Sequence, residues 1–257
     1  VTVQKKRNIV IFDLLLFLSM FGAVMALEKF VHRRLQEVFL LLTGHMDSAT
    51  FLYSLVLLPG VFLHELSHAV TALLLGVPVR KFSMSAKRQS TGVVRLGYVE
   101  VMRTDAFRTS LIGAAPLFAG ITTLIFIGIT VFNLSGMTQT LNDGALLSQL
   151  FSIFRAPDAW IWIYAVFAIA NSMMPSQSDT QAWPPVIGFL VLFVAAALLL
   201  GGTALISFVS PLIHSTLRWL SSAFAVTAFV NCIVIAFLFV FARVLEKMTG
   251  RKVQFKR

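Results

Sequence analysis

Residues 51–76 read FLYSLVLLPGVFLHELSHAVTALLLG. The stretch is apolar towards both ends and carries His64, Glu65 and His68 near its middle. A hydrocarbon core of about 30 Å is crossed by about 20 apolar residues of helix. Ionisable groups at such a depth are costly unless they find partners, so they mark function. The segment therefore predicts a membrane-crossing helix with a chemical centre inside it.

The rest of the 257-residue chain has the same character. Apolar residues make up 58% and charged residues 12%, and mean hydropathy is +0.86. A soluble domain carries about 25% charge. The composition excludes disorder, a collagen, a coiled coil and an ordinary cytosolic enzyme. It predicts an all-α polytopic membrane protein with six transmembrane helices. The first span covers residues 9–27 and the second 51–76. The third covers 109–132, the fourth 159–174, the fifth begins at Pro184-Pro185 and ends near Ser210-Pro211, and the sixth covers 217–244. Residues 28–42 place Val31, Leu35, Val38 and Leu42 at helical spacing. They read as an interfacial amphipathic helix or as a continuation of the first span. Three regions follow: 1–50 with the first span and the amphipathic helix, 51–183 as a catalytic core, and 184–257 with two accessory helices and a basic tail.

Net charge is +10. Most Lys and Arg residues lie at the N-terminus (Lys5, Lys6, Arg7), in the loop 77–108, and after the last span (Arg243, Lys247, Arg251, Lys252, Lys256, Arg257). By the positive-inside rule these three regions are cytoplasmic, so both termini are expected on that side of a cell membrane. No basic run is interleaved with aromatics, and nucleic acid is not expected as a partner. The single Cys232 cannot form an internal disulfide.

The loop 77–108 is the one sizeable polar segment. Phe82, Met84 and Ala86 alternate with Ser83 and Ser85, and residues 93–103 are rich in β-branched and aromatic side chains. The pattern predicts a β-hairpin.

His64-Glu65-Leu66-Ser67-His68 is an H-E-x-x-H sequence. Two His four residues apart share a helical face, about 6 Å apart along the axis. Both can reach one Zn²⁺, with the intervening Glu beside the metal as a general base. Catalytic zinc takes three protein ligands and keeps a position for water, so one ligand is missing. Asp179 is the leading candidate. It follows Asn171 and Pro175 at the end of the fourth span, where Pro175 breaks the helix and lets the segment bend. Glu246, after the sixth span, is the other candidate considered.

At this point the chain resembles the site-2 protease family of intramembrane zinc metalloproteases. That family joins H-E-x-x-H on one helix to N-x-x-P-x-x-x-x-D-G on another. Asn171, Pro175 and Asp179 stand at the family spacing, with Thr180 in place of the usual Gly. The resemblance implies His64, His68 and Asp179 as zinc ligands, Glu65 as the catalytic acid/base and Asn171 near bound substrate. It implies a three-helix zinc-protease core within 51–183, with a membrane-associated β-hairpin beside the active site. It also implies cleavage of single-pass or helical membrane-protein substrates within the lipid bilayer. Gly113-Ala114-Ala115-Pro116 is similar to the family's small-residue stretch, and Gly113 and Gly120 suit close helix approach.

Three rivals were weighed. Asp13, His214 and Asn231 could belong to an ion pathway in a transporter or channel, although no inverted repeat is visible. A catalytically silent zinc scaffold has no need of Glu65. A different H-E-x-x-H membrane protease would use Glu246 as the third ligand.

Overall fold

A computed structural model of the chain describes residues 3–84, 87–88, 94–95, 97–134 and 146–253. The elements are α1 (Val3–Thr43), α2 (Met46–Leu74), β1 (Val79–Ser83), β2 (Lys87–Arg88), β3 (Val94–Arg95), β4 (Tyr98–Val101) and α3 (Ala106–Thr130). After these come α4 (Leu146–Phe151), a 3-10 turn (Ser152–Arg155), α5 (Ala159–Ala170), α6 (Gln177–Thr180) and α7 (Trp183–Thr249). The protein is predominantly helical. Among the described residues four helical stretches are long and apolar enough to cross a membrane: Ile9–Thr43, Met46–Leu74, Ala106–Thr130 and Phe208–Thr249.

Six spans are not confirmed: the structure departs from the expected ones at the fourth and at the fifth and sixth, while residues 28–42 follow the second of their two expected readings. Residues 28–42 continue α1 without a break. Val31, Leu35, Val38 and Leu41 are buried, whereas Leu42 is exposed. The apolar face of this stretch therefore packs on the protein itself. The fourth expected span is α5, a helix of only 12 residues. At 1.5 Å per residue it extends about 18 Å, too short to cross. The fifth and sixth expected spans join in α7, which passes through Pro211 without a turn. His214, expected in an outer loop, is therefore helical.

The continuity of α7 also bears on the termini. A chain that does not reverse near residue 211 emerges at the other end of the bundle. Arg251 accordingly lies at the α1–α2 turn, its guanidinium donating to the Leu41 carbonyl at 3.3 Å. That turn is the far end of α1 from Val3, whereas the positive-charge reading puts Arg251 on the N-terminal side.

The hairpin is present. β1 pairs antiparallel with β4, matching Val79 with Val101 and Ser83 with Tyr98. Further out β2 pairs antiparallel with β3. Val93, the start of the expected second strand, and the turn 89–92 lie outside the described residues. The base of the hairpin is fixed by how α2 ends. Gly76 takes φ +71°, a value that favours glycine. Its N–H donates to the Leu73 carbonyl and that of Val77 to the Ala72 carbonyl, the paired bonds of a Schellman motif. Val77 then packs with Ala72 and Ile112, and Val79 and Val101 lie against that cluster. On the other side Asp105 caps α3 by accepting the Arg108 N–H at 2.9 Å. That bond holds the Asp105 carboxyl below its ordinary range.

Candidate metal centre

Within α2 the four-residue spacing sets His64 and His68 about 40° apart around the helix, with Glu65 about 60° from His68 on the same side. The helix alone does not fix the imidazoles. Two backbone carbonyls from other segments do. His64 Nδ1 lies 2.7 Å from the carbonyl of Ser172. His68 Nδ1 lies 2.7 Å from the carbonyl of Ile112 in α3. A carbonyl cannot donate, so each Nδ1 carries the proton, and in the neutral imidazole Nε2 is then the lone-pair acceptor. Those two Nε2 atoms are 3.2 Å apart.

The third group arrives through a helix break. α5 ends at Ala170 and α6 begins at Gln177, with Pro175 between them, as the proline predicted. Ser176 and Asp179 form a capping box at the start of α6. The Ser176 N–H donates to Asp179 Oδ2 at 2.7 Å, and the Asp179 N–H donates back to Ser176 Oγ at 3.3 Å. This reciprocal pair aims the carboxylate at α2. Asp179 Oδ1 lies 3.4 Å from His68 Nε2, and Oδ2 lies 3.8 Å from His64 Nε2. The three groups together could hold a metal ion, with ligand atoms within 4.8 Å of one another.

Such convergence requires helices to approach without side chains between them. A Cβ on Gly60 would lie 2.0 Å from the Ala168 carbonyl oxygen, and one on Gly113 would lie 2.1 Å from the Asp179 carbonyl oxygen. One on Gly120 would meet the Met173 side chain at 2.4 Å. Gly113 and Gly120 thus serve the close approach their sequence context suggested. Gly60, one turn before His64, gave no such signal.

Glu65 is buried. The hairpin backbone passes over it at Gly97, where an added Cβ would meet Glu65 Cγ at 3.0 Å and Oε1 at 3.3 Å. The β element therefore lies directly on the acidic residue of the H-E-x-x-H sequence.

Asn171 is close by but does not present its amide to the His–Asp group. It is 3% exposed. Its Nδ2 donates to the Phe167 carbonyl and to Asn231 Oδ1, both at 2.8 Å. Asn231 Nδ2 returns a bond to Asn171 Oδ1 at 3.3 Å. Glu246, the other candidate ligand, pairs with Arg243 on α7 at 3.8 Å. Asp13, His214 and Asn231 do not form one path: Asp13 joins His214 and Arg218, while Asn231 joins Asn171.

The spacing can be tested against zinc. Zn–N distances of 2.0–2.1 Å in a tetrahedron put ligand atoms about 3.3 Å apart. The 3.2 Å between the two Nε2 atoms fits that requirement. The Asp179 contacts of 3.4 and 3.8 Å run to different oxygens, and with one ligand atom from each residue the three lie within 4.8 Å of one another, so the carboxylate would turn to share a tetrahedral ion. Two imidazoles and a carboxylate suit Zn²⁺ chemically. Ordered Nδ1–H···O=C bonds are the usual outer support of zinc-ligating His. Compared with known proteins, the chain matches no family model, no curated protein and no solved structure.

Proposed function

We propose that this protein is a zinc metalloendopeptidase that hydrolyses peptide bonds within or near the membrane-spanning segments of other proteins. The observation that carries the reading is the pair of Nε2 atoms at 3.2 Å, facing a carboxylate while each Nδ1–H is bonded to a backbone carbonyl. Three acceptors pointed at a common centre repel one another unless a cation lies between them. The resemblance to site-2 proteases supplies the reaction class, and the four apolar helices supply the setting of a multi-pass membrane protein.

His64, His68 and Asp179 hold the zinc. A zinc ion held there supplies Lewis acidity, which polarises a carbonyl and makes water nucleophilic near neutral pH. Glu65 takes the proton of the attacking water and hands it to the departing amine. Glu65 is buried beneath the backbone at Gly97, so the carboxylate works at reduced dielectric. A substrate helix must unwind before its backbone is accessible. The strand β4 gives the unwound segment an edge to pair with, next to Glu65, in the manner of β-augmentation.

The test uses the purified chain in detergent, incubated with single-pass membrane proteins. Zinc is measured in the same samples. The unmodified chain is expected to contain one zinc and to cleave. Glu65→Gln is expected to keep zinc and lose cleavage by about 10³-fold. Cleavage that persists in Glu65→Gln, or that a zinc chelator leaves untouched, removes the proposal. Proline at Val99 or Val101 is expected to reduce cleavage without loss of zinc. Unchanged cleavage there removes the role of β4 alone.

A further inference from the structure

The two imidazoles of the metal centre are held by different parts of the molecule. His68 is fixed by Ile112 of α3. His64 is fixed by the carbonyl of Ser172, in the segment between α5 and α6. That segment is walled by α2 at Ser172 and by α3 at Met173, whose side chain a Cβ on Gly120 would meet at 2.4 Å. At Gly60 the backbone of α2 comes so close that a Cβ would overlap the Ala168 carbonyl oxygen and lie 2.7 Å from Ser172 Oγ. On its other flank, Asn171 is held by Asn231 of α7 through the reciprocal amide pair at 2.8 and 3.3 Å.

Both amides are almost completely buried, Asn231 being 1% exposed. An amide in such a place is held strictly by its partner, because a broken bond leaves a donor and an acceptor unsatisfied in apolar surroundings. Thr227, one turn earlier on the same face of α7, is also buried.

We infer that Asn231 is a positioning residue for the metal centre, acting through Asn171 and the Ser172 carbonyl on the orientation of His64. The inference rests on the proposed zinc site. A displacement of α7 at Asn231 moves Asn171, and the adjacent Ser172 carbonyl moves with it. His64 Nδ1 then loses the acceptor that fixes both its tautomer and its ring plane. The position of the long accessory helix thereby sets the strength of zinc binding, while the His68 half of the site, anchored on α3, stays as it was. The linkage is asymmetric: it runs through one imidazole and not through both.

The experiment measures zinc affinity of the purified full chain by competition with a chromophoric chelator, with thermal unfolding in the same detergent. Loss of an outer-shell partner of a zinc-ligating His weakens binding by 10–100-fold, and Asn231→Ala is expected near the lower end, about 10-fold. Asn231→Asp, which keeps an acceptor for Asn171 Nδ2, is expected to stay within about 2-fold of the unmodified chain. Asn171→Ala combined with Asn231→Ala is expected to bind no more weakly than Asn171→Ala alone, since one acts through the other. Val230→Ala, a cavity beside Asn231 on the same helix, is expected to lower the unfolding temperature without weakening zinc. Should Asn231→Ala not fold, Asn231→Ser is read against the same thresholds.

Zinc affinity unchanged in Asn231→Ala overturns the inference. Full additivity of the two Asn substitutions, or equal weakening by Val230→Ala, overturns it too. The wider proposal fails differently. An unmodified chain that takes up no zinc, or a His64→Ala variant that binds it fully, removes the zinc site and this inference with it.

Discussion

Two groups of ionisable side chains join separate helical segments, and their chemistry is opposite. At the first, His64, His68 and Asp179 meet with acceptors facing inward, because each Nδ1–H is already bonded to a carbonyl. At the second, Asp13 of α1 is fully buried against α7. Arg218 Nε donates to its Oδ1 at 2.7 Å, and His214 Nδ1 pairs with its Oδ2. Here a carboxylate meets donors. Its charge is balanced by the guanidinium and its lone pairs are occupied, so the group is electrically closed. The first group sets one carboxylate against two imidazole Nε2 atoms, a donor set that suits a bound cation. Aspartate and histidine occur in both, and what separates them is the direction of the imidazole donors, set by backbone carbonyls in one case and by a carboxylate in the other. The first arrangement could hold a metal ion, whereas the second clasps α1 to α7.

The largest expected difference is in zinc. Asp179→Ala removes one of three ligands and is expected to lower zinc affinity by more than about 100-fold, a greater loss than for an outer partner. Asp13→Ala is expected to leave zinc content unchanged. Elemental analysis of both variants after gel filtration decides the matter. Zinc lost from Asp13→Ala and kept in Asp179→Ala would reverse the assignment of the two groups.

Stability is expected to respond in the other direction. Asp13→Asn leaves Arg218 buried without its counter-charge, and breaking such a pair costs about 3 kcal/mol. Asp13→Asn with Arg218→Gln removes both charges and is expected to regain most of that loss. Unfolding in detergent checks both. If Asp13→Asn is as stable as the unmodified chain, the clasp contributes nothing and its resemblance to a structural ion pair is superficial.

The two groups also differ in how far they can be read from sequence. His64 and His68 are legible because a helix turns a four-residue spacing into a shared face. Asp179 is legible because Pro175 signals a break at the end of an apolar run, whereas the Ser176 capping box that aims its carboxylate is seen only in the fold. The hairpin follows from alternation between residues 82 and 103. Asp13, His214 and Arg218 are separated by about two hundred positions, and no local rule brings α1 to α7. The Asn171–Asn231 pair is hidden for the same reason: an amide in an apolar run declares burial, but not its partner. The count of spans is where apolar composition says least. Residues 159–170 are apolar enough for a membrane but form a helix of 12 residues. Ser210-Pro211 reads as the end of a span, yet a proline inside a long helix needs only a local adjustment of the hydrogen bonds around it.

Glycines give the finest version of the same comparison. Gly60 and Gly113 border the metal centre, where a Cβ would overlap carbonyl oxygens at 2.0 and 2.1 Å. Gly128, also on α3, has nothing within 4 Å of an added Cβ. Gly113→Ala must push the Asp179 backbone aside and is expected to weaken zinc binding by about 10-fold, the effect of disturbing a ligand's support. Gly60→Ala displaces the Ala168–Ser172 backbone and is expected to act similarly, through His64. Gly128→Ala is expected to leave zinc untouched and to stabilise the helix by at most about 1 kcal/mol, since alanine is the better helix former. Zinc titration of the three variants separates a glycine required by the site from one that merely occupies a helix. Equal affinities across the three would mean that α2, α3 and the Asp179 segment need not approach as closely as these carbonyl contacts require. The convergence of His64, His68 and Asp179 on one ion would then lack its structural cause.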